Sequence, residues 1–120
     1  MSIKRWIEVT FQEEGIHYYP GVENDPGLDP VSFLAYRHRH VFHFNVRIEV
    51  FHDDRELEFI MVKRELQKLM RSDIQKMNGK SCEMLAVDII EYINNKYPNR
   101  DIVCKVFEDG ENGAVLEYTK

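Results

Sequence analysis

A stretch of alternating hydrophobicity, HRHVFHFNVRIEV at residues 38–50, constrains the fold of this chain more than any other feature. Even-numbered positions from 42 to 50 carry Phe, Phe, Val, Ile and Val, whereas polar residues occupy positions 43, 45, 47 and 49. Because side chains two residues apart in a strand lie on one face, the pattern predicts a β-strand with one apolar face. That face requires a second layer of structure to cover it.

Hydrophobic periodicity elsewhere in the chain predicts the other strands and the helices. Residues 3–11 alternate in the same way and predict a first strand. Apolar residues at helical spacing over 59–70 predict an amphipathic helix, and Ser81 is a natural N-cap for a second helix. Two short strands, at 101–108 and 114–118, flank the turn DGENG, which is typical of a hairpin. The predicted fold class is α+β, in the order ββααββ, with a four-stranded antiparallel sheet and two helices on one of its faces.

Residues 15–37 separate the first two predicted strands and contain three of the chain's four prolines. Irregular segments of this length are uncommon in compact domains unless they are mobile or functional. We therefore expect a long loop here, which is either a lid over a site or a plain surface excursion.

Composition limits the size and the partners of the protein. With 120 residues and 43% hydrophobic residues, the chain is expected to form one domain over 1–120. Its 16 basic and 21 acidic residues leave a net charge of −5, which argues against nucleic acid and against an anionic membrane as partners. The sequence has neither a long uncharged apolar run nor a signal-peptide pattern, so we expect a soluble, cytoplasmic protein. Cys82 and Cys104 form no CxxC motif and are expected to be buried thiols.

Four motifs, in this order, resemble the tunnelling fold (T-fold) of the 6-pyruvoyl-tetrahydropterin and 6-carboxy-tetrahydropterin synthase family. HRHVFHFNVRIEV is similar to a strand that begins with His-Gly-His in the family. LEFIMVKREL resembles the family's segment in which a hairpin ends in an Asp-Phe step before a Leu-Lys helix, with Glu58 in place of the Asp. SCEMLA is similar to the start of the family's second helix, and VCKVFEDGENGAVLEY resembles its last hairpin. The resemblance covers nearly the whole chain. It implies a T-fold and a ring-shaped homo-oligomer, such as a hexamer.

The resemblance also implies a zinc site. His38 and His40 match two zinc ligands of the family, and His17 would be the third. Neutral imidazoles hold zinc at about 2.0 to 2.1 Å, and a catalytic site leaves the fourth position open. In the other interpretation, His38 and His40 are ordinary polar residues at an exposed strand end.

The chain departs from the family where the synthases carry out proton transfer. The synthases have a cysteine shortly before the paired histidines and an Asp-His pair between the two helices. Here no cysteine precedes the histidines, and RSDIQKMNGK at 71–80 contains Asp73 but no histidine. General acid–base chemistry needs a titrating group close to the substrate. Asp73, His43 and His52 are candidates, but each is also typical of a surface or turn residue.

Glu108 is the candidate ligand anchor, because the resemblance places it at the family's ligand-binding glutamate. A carboxylate at a strand end can accept two parallel N–H bonds from the amino-pyrimidinone edge of a pterin or guanine. Alternatively, Glu108 is a solvated residue that begins the acidic turn EDGENG.

Two functional hypotheses follow, with a third and simpler alternative. The first is a small-molecule binding protein that holds a pterin-, purine- or nucleotide-like ligand at subunit boundaries, for sequestration or sensing, without synthase activity. The second is a zinc-dependent lyase related to the tetrahydropterin synthases. The third is a structural oligomerisation module. The missing cysteine and Asp-His pair favour the first.

Overall fold

The structure is a computed structural model that describes residues 1–76 and 79–120, except for the side chains of His17, Pro20 and residues 73–76. The predicted order of strands and helices is observed, and the α+β class is confirmed. The elements are β1 (Arg5–His17), β2 (His38–Val50), α1 (Phe59–Lys76), α2 (Cys82–Lys96), β3 (Ile102–Glu108) and β4 (Asn112–Tyr118).

The four strands form one open antiparallel sheet in the order β1-β2-β3-β4. The alternating stretch becomes β2, which lies in the interior of the sheet between β1 and β3. Its neighbours are in register, so that Val46 pairs with Val9 on one side and with Cys104 on the other. The two edges of the sheet are therefore β1 and β4.

Both α-helices pack against the same face of the sheet, as the sequence predicts. The alternation in β2 places its apolar row on this face, where Val46 and Ile48 are fully buried against Leu66 of α1 and Ile89 of α2 within the hydrophobic core. Ser81 caps α2, because its hydroxyl accepts the backbone N–H of Met84 at 3.2 Å. The core therefore fixes both helices above the strands that carry the candidate residues.

The segment between β1 and β2 is more ordered than the sequence predicts. β1 runs on to His17 instead of ending near residue 11, and residues 18–37 contain 3-10 helical turns at Pro20–Asn24 and Pro26–Ala35. The backbone N–H of Tyr19 donates to the carbonyl of Leu34 at 2.6 Å, which ties the two ends of the segment together. The expected loop is thus shorter than 15–37, and its role as a lid stays a prediction.

A network of charged groups lies at the end of the sheet away from the start of β2. Glu49 is buried, and its carboxylate accepts the backbone N–H of Asp101 at 3.0 Å and the ammonium of Lys120 at 2.9 Å. The backbone donor, followed by the lysine, holds the pKa of Glu49 below its ordinary value. This network secures the last residue of the chain to β2.

None of the helices formed within residues 1–76 and 79–120 has the length and the apolar character needed to span a lipid bilayer.

Candidate functional site

The sheet brings three of the four predicted site residues to one end. His38 and His40 begin β2, and Glu108 ends the neighbouring strand β3, where it pairs with Phe42. Nε2 of His40 lies 3.5 Å from Oε2 of Glu108. The backbone of His17, the fourth candidate, pairs directly with that of His38, although the side chain of His17 lies outside the described part of the chain. His17 is thus part of β1 and not of the loop in which the sequence placed it.

The two histidines of β2 have the same proton arrangement. Nδ1 of His38 donates to the backbone carbonyl of Tyr36 at 2.8 Å, and Nδ1 of His40 donates to Oδ2 of Asp109 at 2.6 Å. A carbonyl and an ionised carboxylate can only accept, so Nδ1 carries the hydrogen in each ring. In the neutral rings the lone pair therefore lies on Nε2, and both Nε2 atoms are buried. The ring centroids are 4.7 Å apart and the ring planes are nearly perpendicular.

Asp109 is a site residue that the sequence analysis did not identify. It sits in the β3–β4 turn with a positive φ of 55°, its N–H donates to the carbonyl of Val41 at 2.7 Å, and its Oδ1 accepts the N–H of Val41 at 3.0 Å. The Val41 N–H and then the His40 ring hold the pKa of Asp109 below its ordinary value. Asp109 is therefore an ionised group that orients His40. The DGENG turn was a recognisable signal, but the contact of that turn with β2 was not.

A cavity of about 620 Å³ opens beside Glu108. Pockets that bind small molecules span roughly 300 to 1,000 Å³. The cavity is bounded by the segment after β1, by the start of α2 and by the β3–β4 hairpin. The described lining residues include Tyr18, Tyr19, Leu34, His38, Ser81, Cys82, Glu83, Met84, Glu108 and Asn112. That Tyr18, Tyr19 and the start of α2 line a cavity beside Glu108 was not predicted, because these parts of the chain come together only in the folded protein.

Cys82 is buried, as the sequence predicts, and it also lines this cavity. Its thiol donates to Oε1 of Glu108 across 3.8 Å. Burial, together with the negative charges of Glu108 and Glu83, raises the pKa of the Cys82 thiol to about 12. At neutral pH the group is therefore a neutral hydrogen-bond donor, which is unsuited to act as a nucleophile. Cys104 is the second buried thiol, and neither cysteine forms a disulfide.

Two of the other candidates for proton transfer, His43 and His52, do not join the site. His43 points to the helix-free face of the sheet, where it borders a different cavity beside Gly110. His52 lies at the far end of β2, where Nε2 is 3.7 Å from Oε1 of Glu56. The side chain of Asp73 lies outside the described residues.

Among the side chains that the structure describes, no group of three or more His, Cys, Asp or Glu residues is arranged to hold a metal ion. His38 and His40 thus supply two oriented nitrogens, and a three-histidine site would need His17.

The chain was also compared with known proteins. No protein-family model matches it, and no curated protein matches it either.

Proposed function

We propose that this chain is a T-fold protein that binds a flat heterocycle, of pterin, purine or nucleotide-like type, without synthase activity. The observation that carries the proposal is the position of Glu108. It follows the buried residues Ile102, Cys104 and Val106 on the same face of β3, and it lines a cavity of about 620 Å³. Two parallel N–H donors on the ligand edge would meet its two oxygens. Each charged hydrogen bond of this kind contributes about 1.5 to 3 kcal/mol.

The walls of the cavity suit a planar ligand. Tyr18, Tyr19 and Leu34 provide aromatic and apolar surface, whereas Ser81 and Asn112 provide polar groups. Cavities of mainly apolar lining with a few polar groups are typical of small-molecule sites.

Zinc is part of the proposal, with His17, His38 and His40 as ligands. Metal-binding histidines generally donate the N–H of the ring nitrogen that does not bind the metal to a carboxylate or a backbone carbonyl. His40 has this arrangement with Asp109, and His38 has it with Tyr36. The two described donors, His38 and His40, therefore fit the ion, and His17, whose backbone pairs with that of His38, would be the third ligand. Bound zinc would supply a Lewis acid next to the ligand anchor.

We further propose that the protein is a homo-oligomer. Both edges of the sheet are open, and long open edges are normally paired or covered. Phe51 is 52% exposed, and together with Trp6 it is expected to lie against a second subunit. In a ring of such subunits the sheet edges would pair, and sedimentation velocity at micromolar concentration measures the assembly. A clean 14.3 kDa species would contradict this part of the proposal.

The second candidate function is that of a zinc-dependent lyase related to the tetrahydropterin synthases. The observation that favours it is the position of Glu108, whose Oε2 lies 3.5 Å from Nε2 of His40, so that a carboxylate able to accept a proton would stand beside zinc bound at that nitrogen. The neutral thiol of Cys82 and the absence of a histidine from 71–80 argue against it. Turnover of a dihydropterin substrate by the zinc-loaded protein would establish this alternative.

The experiment for the main proposal begins with native mass spectrometry and elemental analysis of the purified protein, to detect a retained heterocycle and zinc. Calorimetry then compares wild type with Glu108→Gln, which keeps the shape of the side chain but turns one acceptor into a donor. We expect binding to weaken by about ten- to a hundredfold. Glu117→Gln is the matched control, because Glu117 is exposed on β4. Equal affinity of wild type and Glu108→Gln would contradict the anchor, with circular dichroism as the check on folding.

A further inference from the structure

We infer that the ligand of this cavity carries no phosphate group, and that Glu83 discriminates against phosphorylated forms of the heterocycle. The inference rests on the proposed function. It narrows the ligand from a nucleotide-like molecule to a free base, a nucleoside or an unphosphorylated pterin.

The charges of the described lining residues are the first argument. Glu83 and Glu108 contribute two carboxylates, and Lys80 contributes one ammonium. That ammonium lies 2.6 Å from Oδ2 of Asp88, so its charge is already engaged by a carboxylate. Asp109, which contacts His40, adds a further negative charge close by. In the absence of a metal these groups leave the region negative on balance, which disfavours an incoming dianion.

The start of α2 is the second argument. A helix N-terminus is the place where a fold most readily accepts a phosphate, through backbone N–H groups and the helix dipole. Here the hydroxyl of Ser81 already accepts the N–H of Met84, and Glu83 places a carboxylate in the first turn. The chain thus supplies its own negative charge where a phosphate would bind.

The field of Glu83 reaches the interior of the cavity. Burial is the main cause of the raised pKa of the Cys82 thiol, and the charges of Glu108 and Glu83 add to it. A negatively charged group on a ligand in the cavity would be repelled by the same carboxylates. A phosphate carries about −1.5 to −2 charges at neutral pH, so we expect at least about tenfold weaker binding of a phosphorylated ligand.

The test is calorimetry with matched pairs: guanosine against guanosine monophosphate, and neopterin against neopterin monophosphate. Wild type should bind the unphosphorylated member at least about tenfold more tightly, and the ratio should shrink at high salt. Glu83→Gln should reduce the ratio and Glu83→Lys should reduce it further. Glu91→Gln, at an exposed position of the same helix, should leave it unchanged.

The possible results separate the two proposals. If wild type binds the phosphorylated member equally well or better, the inference is overturned and the binding function stands. The inference is also overturned, and the binding function stands, if Glu83→Gln and Glu83→Lys leave the ratio of the two affinities unchanged while circular dichroism finds both variants folded. If no member of either pair binds, the proposed function fails for these ligands, and the inference is overturned with it.

Discussion

Replacing Asp109 by Asn is the sharpest test of how the site is oriented. The carboxylate of Asp109 accepts the Nδ1–H of His40 at 2.6 Å and the backbone N–H of Val41 at 3.0 Å. Asn retains an oxygen for Val41, and it tolerates the positive φ of 55° that this turn requires. The fold should therefore persist, whereas the negative charge beside His40 is lost.

The size of the effect follows from the type of hydrogen bond that is removed. A bond to a charged group contributes about 1.5 to 3 kcal/mol, against about 1 kcal/mol for a neutral one. The amide can also donate to Nδ1, which would move the ring hydrogen of His40 to Nε2. Because a nitrogen that carries hydrogen cannot bind zinc, we expect zinc affinity to fall by about ten- to a hundredfold.

Two measurements test this prediction. Nitrogen-15 NMR of the metal-free protein, with the imidazole ring of His40 in its neutral form, should find the ring hydrogen on Nδ1 in wild type. In Asp109→Asn the hydrogen should lie partly on Nε2. Chelator competition should then give the loss in zinc affinity. Asp54→Asn is the matched control, because Asp54 lies in an exposed turn paired with Arg55. A wild-type His40 protonated on Nε2, or equal zinc affinity in wild type and Asp109→Asn, would refute the reasoning.

Three other predictions concern metal, pH and packing. The double variant His38→Ala, His40→Ala should lose zinc while His43→Ala retains it, as elemental analysis would establish; equal zinc in wild type and in both variants would remove the metal proposal. The pKa of Glu49 is depressed from 4.5, so its contribution to stability is complete above that pH and is lost as pH falls through the folded value. Urea unfolding should therefore separate Glu49→Gln from wild type more at pH 7 than at pH 3, and an equal difference would contradict this. A Cβ at Gly113 would lie 2.0 Å from a backbone oxygen of β3, so Gly113→Ala should lower the free energy of unfolding by about 1 to 3 kcal/mol or more, whereas an unchanged denaturation midpoint would refute the close approach.

The elements that the sequence predicted well are those whose signal is local. The alternation in β2 determines its buried face, because side chains two apart share a face whatever the neighbours are. The start of α2 follows from Ser81 for a similar reason, since the cap bonds only to Met84. The full length of β1 was missed, because Glu13, Glu14 and Gly15 interrupt its alternation and only pairing with β2 extends it.

The candidate site divides in the same way. The shared face of His38 and His40, and the place of Glu108 at the end of a buried row, follow from the two-residue period of their strands. Tertiary structure alone decided that His40 meets Asp109, 69 residues away, and that Cys82 meets Glu108, 26 residues away. Such contacts depend on strand order and on where a helix packs. No local pattern encodes those distances, because they are set when the whole sheet buries its apolar face.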